Sequence, residues 1–346
     1  MSIIPKTQIK GAFVPNLINT LPNKGNSMLK TTARIIIVTT LMLLWQSYAF
    51  QQTKCKIAVI PKGSTQYFWK AVQKGVNAEA KTLKDIEVIW KAPTIESDKK
   101  EQISIIEDCI KEGVSGIILS PIDKYELVAP VSHALEKKIP VLIFDSALEG
   151  TPGKEFITFV GTDNKEGGNL AGQHLAKLLH GKGKVILLRY VAGQASTTER
   201  EEGFLEAIAE HKGIQVIAKD RYAGSIATNA WATSMNMMDK LKESDGVFCP
   251  NESSTTGMLQ ALRQTKLTGK IIFVGFDPSE SLVEALKKGE IQALVAQNPI
   301  LMGSSSVKTL VDYIHGKKIS RKINTGVKLV TRDNIEEREI RQILGK

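Results

Sequence analysis

Cysteine is scarce: Cys55, Cys109 and Cys249 are the only three in 346 residues, and they stand far apart with no metal-ligand spacing. Three buried free thiols are expected, and no metal site. A lipoprotein anchor at Cys55 is disfavoured because Lys54 precedes it where a small residue belongs. A phosphate cradle is also missing. Gly181-Lys182-Gly183 resembles part of a dinucleotide loop but follows a helix pattern and precedes a strand, the reverse of what the fingerprint requires. Gly193-Gln194-Ala195-Ser196 lacks the second glycine of a nucleophile elbow. The five histidines, His133, His174, His180, His211 and His315, have no paired histidine or carboxylate at ligand spacing. These absences point away from an enzyme and from a nucleotide or metal cofactor, so neither cofactor nor metal is expected.

Long apolar runs are absent too. The longest, Ile35–Trp45, is shorter than the roughly 20 residues needed to span a bilayer. It sits between basic Lys30 and Arg34 and the small residues Ser47 and Ala49, so Met28–Ala49 reads as a secretory signal with cleavage after Ala49. Residues 1–27 precede a plausible start at Met28 and read as either a mis-called or a dispensable extension, and a periplasmic location is expected. The net charge of +10 is no nucleic-acid signal: Lys6, Lys10, Lys24, Lys30 and Arg34, unopposed by any acid, place half of it before Phe50. A helix-turn-helix repressor would need its DNA-binding module where this signal segment stands.

What is present is a globular composition, 42% apolar and 24% charged. From Lys56 onward, short β-branched runs alternate with amphipathic segments. Strands are expected at Lys56–Ile60, Ile86–Trp90, Gly116–Leu119, Val141–Phe144, Phe156–Val160, Lys184–Leu188, Ile214–Ala218, Gly246–Phe248, Ile271–Val274 and Ile291–Val295. Helix patterns fall at Trp69–Leu83, Glu101–Lys111, Leu127–Glu136, Leu170–Leu179, Glu201–Ala209, Ala232–Leu241, Thr256–Leu262, Ser281–Lys288 and Leu301–His315, with an extended piece at Gly326–Val330. Such alternation implies an α/β fold of parallel sheets built by right-handed crossovers. Two strands separated by a loop in Thr151–Gly161 mark a passage between lobes.

The strand-end residues, taken together, resemble the ribose-type family of periplasmic sugar-binding proteins that serve ABC transporters. The carriers are Gln66-Tyr67-Phe68-Trp69-Lys70, Pro140-Val141-Leu142-Ile143-Phe144-Asp145, Thr162-Asp163-Asn164, Glu199-Arg200-Glu201-Glu202-Gly203-Phe204, Pro250-Asn251-Glu252, Val274-Gly275-Phe276-Asp277 and Ala296-Gln297-Asn298. No single one is specific; their order, each after the expected strand, is. The resemblance implies two doubly wound parallel-sheet lobes joined by three crossings, near Thr162, Gln297 and Gly326. One lobe would be 54–162 plus 298–326, the other 163–297 plus 327–346.

In parallel sheets ligands collect beyond the carboxyl ends of strands, where Asp145, Asn251, Asp277 and Gln297 fall. Planar groups with two ligating atoms bridge the vicinal hydroxyls of a sugar, and Arg200 completes that set. Each has a plainer role open to it: Asp145, Asp277 and Asn251 as helix caps, Gln297 as a strand end, Arg200 as a partner of Glu199 or Glu202. By the resemblance, Phe68 and Trp69 match positions that stack on the sugar ring. A second platform, Tyr222 or Trp231, stays unassigned. Gln66 joins the site with them.

Two residues depart from the family pattern. Ser146 stands where ribose binders carry an arginine, and Lys62 stands where they have a small polar residue, as in relatives that bind furanosyl or linear signalling polyols. Lys62 is equally readable as a solvated loop lysine. The expectation is a monomer that closes on a sugar or polyol and presents it, unaltered, to an ABC permease; the alternative partner is a chemoreceptor or sensor kinase.

Overall fold

The computed structural model describes residues 54–345, so the expected signal segment Met28–Ala49 and its cleavage after Ala49 lie outside the described residues. Among the described residues, twelve strands form two six-stranded sheets. The first contains β1 (Cys55–Ile60), β2 (Ile86–Trp90), β3 (Gly116–Leu119), β4 (Val141–Phe144), β5 (Phe159–Gly161) and β11 (Lys322–Asn324), in the order β11-β5-β4-β3-β1-β2. The second contains β6 (Lys182–Arg189), β7 (Gly213–Tyr222), β8 (Gly246–Phe248), β9 (Ile272–Phe276), β10 (Ala293–Gln297) and β12 (Val327–Val330), in the order β12-β10-β9-β8-β6-β7. All pairings are parallel except β10 with β12. The chain therefore passes between the sheets three times: after β5, after β10, and between β11 and β12.

The helices are α1 (Tyr67–Thr82), α2 (Lys99–Lys111), α3 (Val128–Glu136), α4 (Asn164–Leu178), α5 (Ala195–Ala209), α6 (Ala227–Asn236), α7 (Met238–Glu243), α8 (Glu252–Gln264), α9 (Glu280–Lys287), α10 (Pro299–Ile314) and α11 (Arg338–Ile343). They cover both faces of each sheet, which is why central strands such as β3 and β4 are buried throughout and read as unbroken apolar runs. On the first sheet, Phe68, Trp69 and Val72 of α1 and Met302, Val307 and Leu310 of α10 pack one face, and Ile106 of α2 and Val131 of α3 the other. On the second sheet, Leu175 of α4 and Phe204 of α5 pack one face, and Met258 of α8 and Leu286 of α9 the other. No helix among the described residues is long and apolar enough to cross a membrane.

Several expectations need correction. The stretch Ala232–Leu241 is two helices, because Met237 leaves the helical region at φ −110°, ψ 24°. The fifth strand begins at Phe159, not Phe156. The short elements β11 and α11 were not expected at all; α11 is held by Ile340 against the second lobe's core. Cys109 and Cys249 are buried thiols, but Cys55 opens β1 and is only half-buried.

Helices α4 and α5 meet backbone to backbone. A Cβ at Gly168 would lie 1.9 Å from the Arg200 carbonyl oxygen, and one at Gly203 would lie 2.0 Å from that of Lys165. Neither backbone can yield cheaply, so Gly203→Ala should cost about 1–3 kcal/mol in denaturant unfolding. A change below about 0.5 kcal/mol, the usual size at an unconstrained surface position, would show that the helices can part.

Candidate functional site

Both sheets turn their carboxyl ends toward one gap, and the topological switch points, β1/β3 and β6/β8, open onto it. From the first lobe come the residues after β1, β2 and β4. Lys62 is 5% exposed, and its ammonium lies 2.9 Å from Asp145 Oδ2. The Ser120 hydroxyl donates to the same oxygen at 2.8 Å. Asp145 holds φ at +61°, a left-handed conformation that aspartate tolerates better than most residues. The buried rings of Phe68 and Trp69 meet edge to face at 4.8 Å, and Trp69 meets Phe144 similarly at 6.2 Å.

From the second lobe comes Arg200, 2% exposed. It donates from Nε to Asn164 Oδ1 and from Nη1 to the Pro250 carbonyl, each at 2.9 Å, lies 3.7 Å from Asp277 Oδ2, and stacks 4.0 Å from the Phe276 ring centroid. Gln297 donates to Asp277 Oδ1 at 2.7 Å and accepts the Thr162 hydroxyl at 2.8 Å, joining the ends of β5 and β10. Asn251 caps α8 through a capping box with Ser254, yet still lines the cavity.

The two halves touch. Lys62 donates to Gln194 Oε1 at 3.3 Å and Ser196 Oγ at 3.2 Å, both in the second lobe. The Glu96 carboxylate accepts the Trp69 indole N–H at 2.7 Å from its own lobe and the Tyr190 hydroxyl at 3.1 Å from the other. Between them lies a small enclosed cavity of about 20 Å³, room for about one water, so in this form the lobes are shut tightly on each other.

Of the residues singled out from sequence, Lys62, Gln66, Phe68, Trp69, Asp145, Arg200, Asn251, Asp277 and Gln297 all line this cavity. Lys62 is therefore no solvated lysine, and Arg200 pairs with Asp277 instead of Glu199 or Glu202. Asp145 caps no helix, since β5 is the next element. Ser146 is not on the wall: its hydroxyl accepts the Ser196 backbone N–H at 3.3 Å across the gap. Tyr222 is exposed, and Trp231 donates to Gln264 away from the cavity; the second lobe's aromatic is Tyr190. Glu96, Tyr190, Gln194, Ser196 and Thr197 line the wall without having been singled out.

Burial raises the carboxyls of Glu96 and Asp277 and lowers the Arg200 guanidinium. Glu96 is pushed up to about 7, chiefly by desolvation, although Lys62 and the bonds from Trp69 and Tyr190 pull the other way. A carboxyl raised in the folded state contributes stability that is full below the unfolded value near 4.5 and lost as pH rises through 7. Glu201 and Glu252, also pushed up to about 7 by burial, act in the same window. Glu96→Gln should thus remove one share of the fall in melting temperature between about pH 5 and 8. An unchanged slope in the variant would take Glu96 out of that account.

Two α/β lobes joined by three chain passes and enclosing a polar cavity at their strand ends define a bilobal ligand-binding protein. Residues 57–318 match the family model described as periplasmic binding protein domain, and the chain belongs to that family. Among curated relatives, it is 31% identical over 265 residues to the ribose import binding protein RbsB of Bacillus subtilis, covering 76% of this chain and 83% of that one. The D-allose-binding periplasmic protein of Escherichia coli is 29% identical over 260 residues, covering 74% and 83%. Among solved structures, an ABC transporter solute binding protein from Agrobacterium vitis with bound D-fucose superimposes with a TM-score of 0.80 at 33% identity, covering 83% of this chain and 98% of that one.

Proposed function

We propose that this chain is the solute-binding component of an ABC transporter, which closes around one neutral sugar or sugar-like polyol and delivers it unaltered to a membrane permease. The observation that carries the reading is the make-up of the cavity wall. Planar bidentate groups, Asp145, Arg200, Asn251, Asp277 and Gln297, share one small space with the rings of Phe68 and Trp69. That combination suits vicinal hydroxyls and an apolar C–H face. The named relatives are transport-linked sugar binders, which supports delivery to a permease over a sensory role.

The hinge is taken at Thr162, Gln297 and Gly326, with lobes of 54–162 plus 298–326 and 163–297 plus 327–346. A monomer working in the periplasm fits this reading. Ser146, in the place of the ribose binders' arginine, argues against ribose itself. Both cations on the wall are already matched, Lys62 by Asp145 and Arg200 by Asp277, and Glu96 adds a further carboxyl. The site has no free positive charge to offer an anion.

A panel of neutral pentoses, hexoses and polyols should include at least one compound that raises the melting temperature, whereas sugar phosphates and uronic acids should leave it unmoved. A folded protein indifferent to the entire neutral panel would overturn the proposal. By calorimetry, Asp277→Asn should weaken the best ligand roughly 10- to 100-fold, the size expected for hydrogen bonds to a charged group.

A further inference from the structure

We propose that Glu252 is the closing latch of this protein: a carboxylate lent by one lobe as the N-terminal cap of a helix in the other, setting how firmly the molecule shuts without touching the ligand. The proposal rests on the binding reading above but concerns a residue outside the inner cavity. Helix α1 begins without a cap of its own. Gln66, at its N-cap, makes no side-chain cap bond, and its first turn carries no acid. By contrast, α2, α4, α8 and α10 are capped by Asp98, Asp163, Asn251 and Asn298 from their own chain neighbours.

The missing acceptor comes from the first residue of α8 in the second lobe. Glu252 Oε1 accepts the Tyr67 backbone N–H at 3.0 Å, and Oε2 accepts that of Phe68 at 3.0 Å. A carboxylate taking two N–H donors from the first turn satisfies groups that a helix otherwise leaves to water, and it meets the positive end of the helix dipole. When the lobes separate, water takes over both partners, so the gain counts only toward the closed form. An interaction present in one state alone is what shifts a two-state equilibrium.

The location couples this cap to ligand capture. Asn251, the neighbour of Glu252, and Phe68, one of the two donors, are both on the cavity wall and belong to opposite lobes. Closing the cap brings a polar group and a ring onto the ligand together. Glu252 itself lines an adjoining chamber of about 270 Å³ and is not on the wall of the inner cavity.

The test compares native protein with Glu252→Gln, which keeps the shape, and Glu252→Ala, using the best neutral sugar of the panel. The latch requires affinity to fall about 10- to 100-fold with sugar dissociation faster by a similar factor, while X-ray scattering at saturating sugar gives the native closed dimensions. Affinity and dissociation within twofold of native in both variants would overturn it. Should native protein bind nothing in the panel, the function proposed above fails on its own. The latch is then judged by scattering without sugar: more extended variants support it, and unchanged ones refute it.

Discussion

Taking an ammonium out of water costs several kcal/mol, and the cost is offset only when partners surround the ion. Lys62 meets that condition in an instructive way. Asp145, its charge partner, belongs to the same lobe, while Gln194 and Ser196 belong to the other. The full complement of partners therefore exists only when the lobes meet. Arg200 repeats the arrangement within the second lobe, where Asn164, the Pro250 carbonyl, Asp277 and the Phe276 face surround the guanidinium. Each lobe thus carries a desolvated cation locked against a strand-end aspartate. Both aspartates adopt φ +61°, so the same backbone device positions both carboxylates.

That equivalence reflects the fold. The two sheets share one strand order, with β1, β2, β3, β4 and β5 answered by β6, β7, β8, β9 and β10; only the sixth strands differ, β11 being parallel and β12 antiparallel. Asp145 follows β4 and Asp277 follows β9, which are counterparts. Two similar halves meeting at their strand ends bring residues as distant as Lys62 and Gln297 to one wall, and the three passes between sheets tie the halves together there. The Thr162–Gln297 bond links two of those passes directly, and Gln297 also lines the cavity, so the connections between the sheets and the cavity wall share a hydrogen bond.

Much of this was legible because parallel strands buried on both faces must be continuous apolar runs, and a polar residue at the end of such a run has one place to go. That rule puts Asp145, Asn251, Asp277 and Gln297 at the gap, and the family resemblance is what separates a site role for them from capping or a plain strand end. Applied to β6 the rule also reaches Tyr190 and, a few residues on, Gln194 and Ser196, where the Gly193-Gln194-Ala195-Ser196 pattern draws the eye to nucleophile chemistry instead. Glu96 had no such signal, since it lies in a loop well past β2 with no periodicity around it. Helix starts were missed for a related reason. The patterns began at Leu170, Glu201 and Thr256, whereas the helices begin at Asn164, Ala195 and Glu252. Their first turns face the gap and carry Asn164, Ser196, Thr197 and Ser253, so apolar periodicity starts only where the helix descends onto its sheet.

The same separation of roles bears on selectivity. Because the cations of the wall are matched inside the protein, a bound molecule is not held by net charge. On the binding function proposed above, discrimination rests on whether the ligand's hydroxyls meet acceptors and donors already fixed by other bonds: Asp277 by Gln297 and Arg200, Asp145 by Ser120 and Lys62, Glu96 by Trp69 and Tyr190. Groups anchored in this way cannot swing to meet a misplaced hydroxyl, and an unmet buried polar group costs about 1–3 kcal/mol.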